Sequence, residues 1–340
     1  MLEYITLRLI FHAASEVCLT AYKGSTFRGI FKTMLKKVCC PIPRSRCHEC
    51  TLANSCTYRL IAENRTSSGE NTVLPYAFAC SDLQANLYGI GEEIAFNLHL
   101  YGRAIQFLPY IVYSLSLWEK RNLGRFQPLI ADKELKAYGP PHRWPLMLRP
   151  RGRLRLIAVE QITRQGVCGL YHVKDDLLTA ATPESFGSDT AFENQTHRMR
   201  LCFCSPTRLL RKTNQGKSRK KQLIKPEQVT FELLFRSLLT RFTGLNLHFG
   251  NNQETFKNYQ WEQHKEAVRR VTVLENNLKS AQARRFRRNN TRWIHLDGFI
   301  GTIAFDNISA PLVHYLQMGA TSHIGKFPTM GYGEYTVNLD

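Results

Sequence analysis

Four cysteines stand at Cys40, Cys47, Cys50 and Cys56, a Cys-x6-Cys-x2-Cys-x5-Cys run in a chain of 340 residues. Thiolates so spaced suit tetrahedral zinc, and an iron–sulfur cluster uses the same ligand type. Such a site staples a segment too short to bury its own core. Unligated thiols are the alternative reading. Cys39 can replace Cys40, and His48 lies inside the knuckle. A second group lies near the C-terminus, in His323-Ile-Gly-Lys-Phe-Pro-Thr-Met-Gly-Tyr-Gly-Glu-Tyr335. Gly325, Gly331 and Gly333 let backbone approach a ligand closely, where bare N–H groups meet phosphate oxygens, and Lys326 adds a cation.

The charge balance says whose phosphate that is. Lys and Arg number 46 against 27 Asp and Glu, giving a net charge of +19 and a pI near 9.7. That excess points to a polyanion. Nucleic acid is favoured over an anionic membrane, because no segment reads as a long amphipathic surface helix with aromatic anchors. The longest apolar stretch, 104–118, is too short to span a bilayer and contains Gln106 and Pro109. The first residues read as a strand and not as a signal peptide. The expectation is a soluble, cytoplasmic protein whose ten cysteines bind metal or stay reduced.

No His-Glu-x-x-His, paired acidic cluster or phosphate-binding loop is present. Cutting RNA without metal needs a base for the 2′-OH proton and cations for the phosphorane charge. Candidates are His12, at the end of the first strand, Tyr22 and Lys23, just before the first helix, and His48. His323, beside the glycine loop, is the other histidine of note. Arg28, Lys32 and Lys36, four apart on one helix face, form a basic stripe that is either solvated or against RNA. Residues 208–225 carry eight Lys or Arg and no acid, including Arg208, Arg211 and Lys212, and read as a mobile basic loop. Arg284, Arg285, Arg287 and Arg288 are further phosphate contacts, with Phe286 between them either stacking on a base or packing.

The elements that must position these groups follow from periodicity. Strands are expected at 4–11, 93–101, 152–164, 169–174, 198–204, 293–305 and 335–339. Helices are expected from Ser25, over 104–120, 227–242 and 261–284, and from Pro311 to Met318. The polar stretch 178–196 is the domain boundary, giving modules at 1–185 and 190–340, with the cysteine cluster at 39–56. The order is roughly β-α-β followed by α-β, twice, which fits an α+β class with two ferredoxin-like modules.

With these pieces placed, the chain resembles the CRISPR repeat-RNA-processing endoribonucleases of the repeat-associated mysterious protein (RAMP) superfamily, in the branch with an N-terminal cysteine cluster. The resemblance rests on motifs in order. They are Tyr22-Lys-Gly-Ser-Thr-Phe-Arg-Gly29, Cys56-Thr-Tyr-Arg-Leu-Ile-Ala-Glu63, Leu98-His-Leu-Tyr-Gly-Arg103, Ser205-Pro-Thr-Arg208, Gly298-Phe-Ile-Gly301 and the glycine-rich loop. It implies two RRM-like modules facing each other across a basic cleft. It implies metal-independent cleavage of precursor CRISPR RNA within the repeat, giving a 2′,3′-cyclic phosphate and a 5′-OH, with the product retained in an effector complex. One departure is that 13–47 hold no histidine, where many members place one in or before the first helix. A catalytically inactive repeat-binding subunit is therefore the alternative, and a zinc-dependent DNA- or protein-binding module is the third reading.

Overall fold

The computed structural model describes residues 2–43, 45–63, 73–123, 127–128, 148–149, 152–185, 196–215, 218–250, 260–287 and 292–339. Most of the polar loop 63–72, residues 186–195 of the boundary and Arg288 lie outside the described residues.

The N-terminal module runs β1 (Glu3–Ala13), α1 (Gly24–Cys39), α2 (Thr57–Ala62), β2 (Tyr76–Ala79), β3 (Glu93–Tyr101), α3 (Leu108–Ser116), β4 (Leu154–Thr163) and β5 (Gly166–His172). Its sheet is ordered β5-β4-β1-β3-β2, all antiparallel. Without the appended β5 this is the ferredoxin-like order. The alternation of β1 decides which face is covered. Ile5, Leu7, Leu9 and Phe11 are fully buried, whereas Thr6, Ile10 and His12 are half-buried and Arg8 is exposed on the other face. Phe27 of α1 stacks on Phe96 at 4.2 Å and Trp118 stacks on Phe11 at 4.9 Å. Truncating such a ring to Ala costs about 3–5 kcal/mol. The expected helix 104–120 is three pieces. A 3-10 turn (Gly102–Phe107) precedes α3, and another (Leu117–Lys120) follows it. Pro109 sits in the first turn of α3, where its missing N–H breaks no helical bond.

The C-terminal module repeats the plan with β6 (Thr196–Thr207), α4 (Phe231–Phe249), α5 (Gln260–Arg270), β7 (Thr272–Ala281), β8 (Gly298–Ser309), α6 (Ala310–Ser322) and β9 (Tyr335–Leu339). The sheet order is β7-β8-β6-β9. Here the expected helix 261–284 is corrected: the helix stops at Arg270 and β7 pairs with β8 from Thr272 to Ala281. Val271, Thr272 and Val273 are stiff, β-branched residues that favour the pleated surface over a helix. The expected loop 208–225 is likewise a β-hairpin, Leu210–Gln215 against Ser218–Leu223. Arg284–Arg287 and Arg292–His295 form a further hairpin.

The modules share core. Leu2, Tyr4, Ala77 and Tyr101 of the first join the cluster of Phe235, Phe242 and Phe305 in the second. Tyr101 donates its hydroxyl to Thr321 O (2.8 Å), and buried Arg241 donates from Nε to Ser322 O (3.2 Å). Gly102, at φ +53, meets the carbonyl of Phe249 where a Cβ would stand. Only glycine allows that approach.

Candidate functional site at the joint of the modules

The start of α1, the turn after β2, the end of β6 and the glycine-rich loop meet around a cavity of about 240 Å³. Tyr22, Lys23, Ser81, Gln84, Asn86, Cys204 and Tyr332 supply its polar wall. No His, Asp or Glu lines it among the described residues. The space is below the ~300–1,000 Å³ of sites for drug-sized molecules, which suits a single sugar-phosphate unit.

Each wall has a local cause. Helix α1 begins at Gly24 and not at Ser25; Lys23 holds the cap position without a side-chain cap. Gly24 is needed because a Cβ there would strike the Met330 carbonyl. The loop therefore lies directly on the first turn of α1. Lys23 is 2% exposed. Its Nζ donates to Leu83 O (2.6 Å) and to Asn86 Oδ1 (3.3 Å). Burial lowers its pKa from the ordinary lysine value, with the Cys80 thiol opposing. Burial raises the Tyr22 phenol, so it stays neutral. The Tyr22 ring is tilted against Tyr332, with centroids 6.3 Å apart.

The glycines are used differently from the sequence expectation. Gly325, Gly331 and Gly333 have φ of +79, +77 and +71. Their missing Cβ atoms face Arg208 O, Phe78 O and Ile324 O respectively. The close approach is thus made to protein backbone, and residues 328–333 are buried. Glu334 follows. Its carboxylate accepts from Cys80 N (3.2 Å), Ser81 N (3.1 Å) and Ser81 Oγ (2.6 Å), across the module boundary. Burial raises its pKa, and those donors pull it back down. Sequence reading passed over Glu334, Ser81 and Asn86. The one available signal was a lone acid inside a glycine-rich, basic segment.

The rim is basic. Ala283 and Leu296, at the foot of the Arg284–His295 hairpin, pack with Met330, Tyr332 and Tyr22. This roots Arg284, Arg285 and Arg287 beside the cavity. Arg208 donates to Asp297 O (2.6 Å) and so ties the hairpin 210–223, with exposed Arg211 and with Lys212, to the same foot. Lys326 is exposed and gives its backbone N–H to Arg208 O (3.0 Å).

Other sequence candidates stand elsewhere. His12 pairs across β1 with Glu93 and Arg155 and does not line the cavity. His48 is 62% exposed and 3.1 Å from Glu49. His323 is fully buried, its Nδ1 3.1 Å from Tyr332 O, and its ring meets His99 at 5.7 Å. The stripe on α1 is packed: Lys32 is 3.1 Å from Glu63, which also accepts from Tyr58 (2.9 Å). Lys36 lies over the Tyr58 ring at 5.9 Å, and Arg28 lies near the Tyr76 hydroxyl. In the cysteine segment burial raises the Cys39 thiol to about 11 and raises the Cys47 thiol, with the sulfurs of Cys40 and Cys56 close enough to add to both. No three His, Cys, Asp or Glu side chains among the described residues converge as metal ligands.

A family model described as an N-terminal domain, AF_1859_N, matches residues 2–182, and the model of the CRISPR-associated endoribonuclease Cas6 matches residues 201–335. Residues 201–335 thus belong to the Cas6 family. A Cas6 product complex is 14% identical over 99% of this chain and 100% of that one, with a TM-score of 0.53. A partial Cas6-RT-Cas1–Cas2 complex is 12% identical, spans all of this chain and 46% of its own, and has a TM-score of 0.50. Both share the Cas6 fold. An uncharacterized protein from Archaeoglobus fulgidus is 28% identical over 108 residues, which cover 31% of this chain and 37% of that relative.

Proposed function

We propose that this Cas6-family protein binds the repeat of precursor CRISPR RNA and cleaves it without metal. A ribose 2′-OH attacks the adjacent phosphorus, the bond to O5′ breaks, and the products carry a 2′,3′-cyclic phosphate and a 5′-OH. One observation carries the reading: Lys23 and Tyr22 line a polar cavity at the module joint whose rim roots a pair of hairpins rich in Lys and Arg. Those cations suit a phosphodiester backbone and hold it without reading sequence.

The cavity offers neither imidazole nor carboxylate for the 2′-OH proton. In this reading hydroxide from solvent takes that proton, and the protein supplies orientation and charge. The Lys23 ammonium offsets charge on the phosphorane. The neutral Tyr22 phenol gives its proton to O5′ as it leaves. The rate then rises with pH and turns over as Lys23 and Tyr22 lose their protons. Lys23→Met and Tyr22→Phe should each lower single-turnover cleavage about 10²-fold or more, with repeat-RNA affinity kept. Full activity in both variants contradicts the assignment.

The missing base also favours a second reading, a repeat-binding subunit without turnover. It predicts tight, EDTA-resistant binding and no cyclic-phosphate product. Retention of the product and docking with other CRISPR effector subunits belong to either reading. No helix among the described residues is long and apolar enough to cross a membrane. A metal at Cys40, Cys47, Cys50 and Cys56 remains a separate proposal, in which the segment would fold around the ion and no step of cleavage would involve it.

A further inference from the structure

Lys23 has no carboxylate partner among its hydrogen bonds. Its acceptors are a backbone carbonyl, Leu83 O, and an amide oxygen, Asn86 Oδ1, both on the turn 80–86. Where Nζ stands therefore depends on where that turn stands. The turn is tied at its far end by Leu19 N to Asn86 O (2.7 Å) and inside by Gln84 Nε2 to Ser81 O (2.7 Å). At its near end, Cys80 N, Ser81 N and Ser81 Oγ all donate to the Glu334 carboxylate. Glu334 belongs to the other module and is itself fixed at both backbone groups. Its N–H donates to Ser205 Oγ (2.9 Å), and its carbonyl accepts from Cys204 N (3.0 Å).

We propose that Glu334 is a positioning residue for cleavage: it holds the turn 80–86 of the first module from the second, and through that turn sets the place of Lys23 in the cavity. The inference rests on the cleavage reading given above. Its geometry also says what is required of the side chain. Oε2 accepts both backbone N–H groups, and Oε1 accepts the hydroxyl. Glutamine can do the same, its carbonyl taking the N–H pair while its NH2 donates to a turned Ser81 hydroxyl. Alanine can do neither, and it leaves the turn free to shift. A shift of about 1 Å in a positioned group costs on the order of 10²-fold in rate.

The test is single-turnover cleavage of repeat RNA in EDTA across pH, beside RNA affinity and melting temperature, for wild type, Glu334→Ala, Glu334→Gln and Ser81→Ala. Glu334→Ala should lose about 10²-fold in rate while binding RNA within threefold of wild type. Glu334→Gln should recover the rate to within about fivefold, and Ser81→Ala should fall between. Burial lowers Lys23 while its two acceptors favour the charged form, so losing them lowers it further, and the alkaline limb should move to lower pH in Glu334→Ala and Ser81→Ala. The neighbouring Cys80 thiol is pushed up to about 12 by burial, with the Glu334 carboxylate adding to the rise, so Ser81→Ala, which keeps that carboxylate, separates the Lys23 limb from Cys80. Tyr22, Tyr332 and Cys204 are the other titrating wall groups, and Ser81→Ala removes none of them. If Glu334→Ala does not fold, Ser81→Ala decides: a smaller rate with a shifted limb supports the proposal, and an unchanged profile overturns it. Wild-type cleavage in Glu334→Ala, or a rate loss matched by equal loss of RNA affinity, also overturns it while leaving the cleavage reading standing. A wild-type protein that makes no product removes the reading and this proposal together.

Discussion

Replacing Gly24 by Ala tests the joint most sharply, because local and tertiary arguments disagree. Taken alone, Gly→Ala in a helix gains about 0.5–1 kcal/mol. In the fold, the new methyl meets Met330 O, Met330 C (2.5 Å) and Gly331 N (2.9 Å), all backbone atoms of the glycine-rich loop. Backbone cannot rotate aside, so the loop must be pushed off α1. Overpacking of this kind costs about 1–3 kcal/mol. The net expectation is a loss on the order of 1–2 kcal/mol, read as a fall of roughly 2–4 °C in melting temperature per kcal/mol for a chain of this size. Cleavage should fall further, by about 10²-fold, because the displaced loop forms one wall of the cavity. The control lies one and a half turns along: at Gly29 an added Cβ has nothing within 4 Å. Gly29→Ala should therefore stabilise by a few tenths to about 1 kcal/mol and leave cleavage alone. A Gly24→Ala protein that melts at or above wild type and cleaves normally would refute the packed joint.

Gly333→Ala should destabilise the protein, since φ is +71 and the methyl would meet Ile324 O; a wild-type melting curve would exclude the loop as a built element. His99 is buried and pushed down to about 4 by that burial, and burial together with His99 lowers His323. A histidine lowered in the fold is neutral and stabilising above its unfolded pKa. That contribution is lost as pH falls from about 6.5 toward 4, up to roughly 3 kcal/mol for His99. Acid unfolding should therefore begin early, and His99→Gln should flatten the pH dependence; identical curves contradict the argument. Cys47→Ser should lower bound zinc or iron measured on the purified protein, and a wild-type chain holding less than a tenth of an equivalent of metal ends the metal proposal.

The sequence motifs proved legible at the level of fold because they mark places where backbone meets backbone. Gly24 lies on Met330, Gly102 on Phe249 and Gly298 on Thr207. Strand 93–101 and the paired ferredoxin-like plan follow from alternation and element order alone. What sequence concealed was direction. The glycine-rich loop looked like a phosphate cradle, yet its positive-φ glycines pack against the backbone of Arg208, Phe78 and Ile324. The stripe Arg28, Lys32 and Lys36 read as either solvated or against RNA, and in the fold Lys32 pairs with Glu63, Lys36 lies over Tyr58 and Arg28 lies near Tyr76. Periodicity also failed at 271–281, where a strand that is mostly exposed, with Val273 and Leu274 on the surface, carries no clean alternation. The role of Glu334 was concealed for another reason: its partners Cys80 and Ser81 lie 254 and 253 residues away in the chain.

If the Lys23 cavity cleaves repeat RNA by 2′-OH attack, the ribose at the cut site is indispensable. The most direct measurement is single-turnover incubation in EDTA of the protein with its repeat RNA and with the same RNA carrying one 2′-deoxyribose at the cut site. The account predicts a 2′,3′-cyclic phosphate and a 5′-OH from the all-ribose RNA and intact RNA from the deoxy substrate, both bound equally. Cleavage of the deoxy substrate, or cleavage that requires added divalent metal, contradicts it.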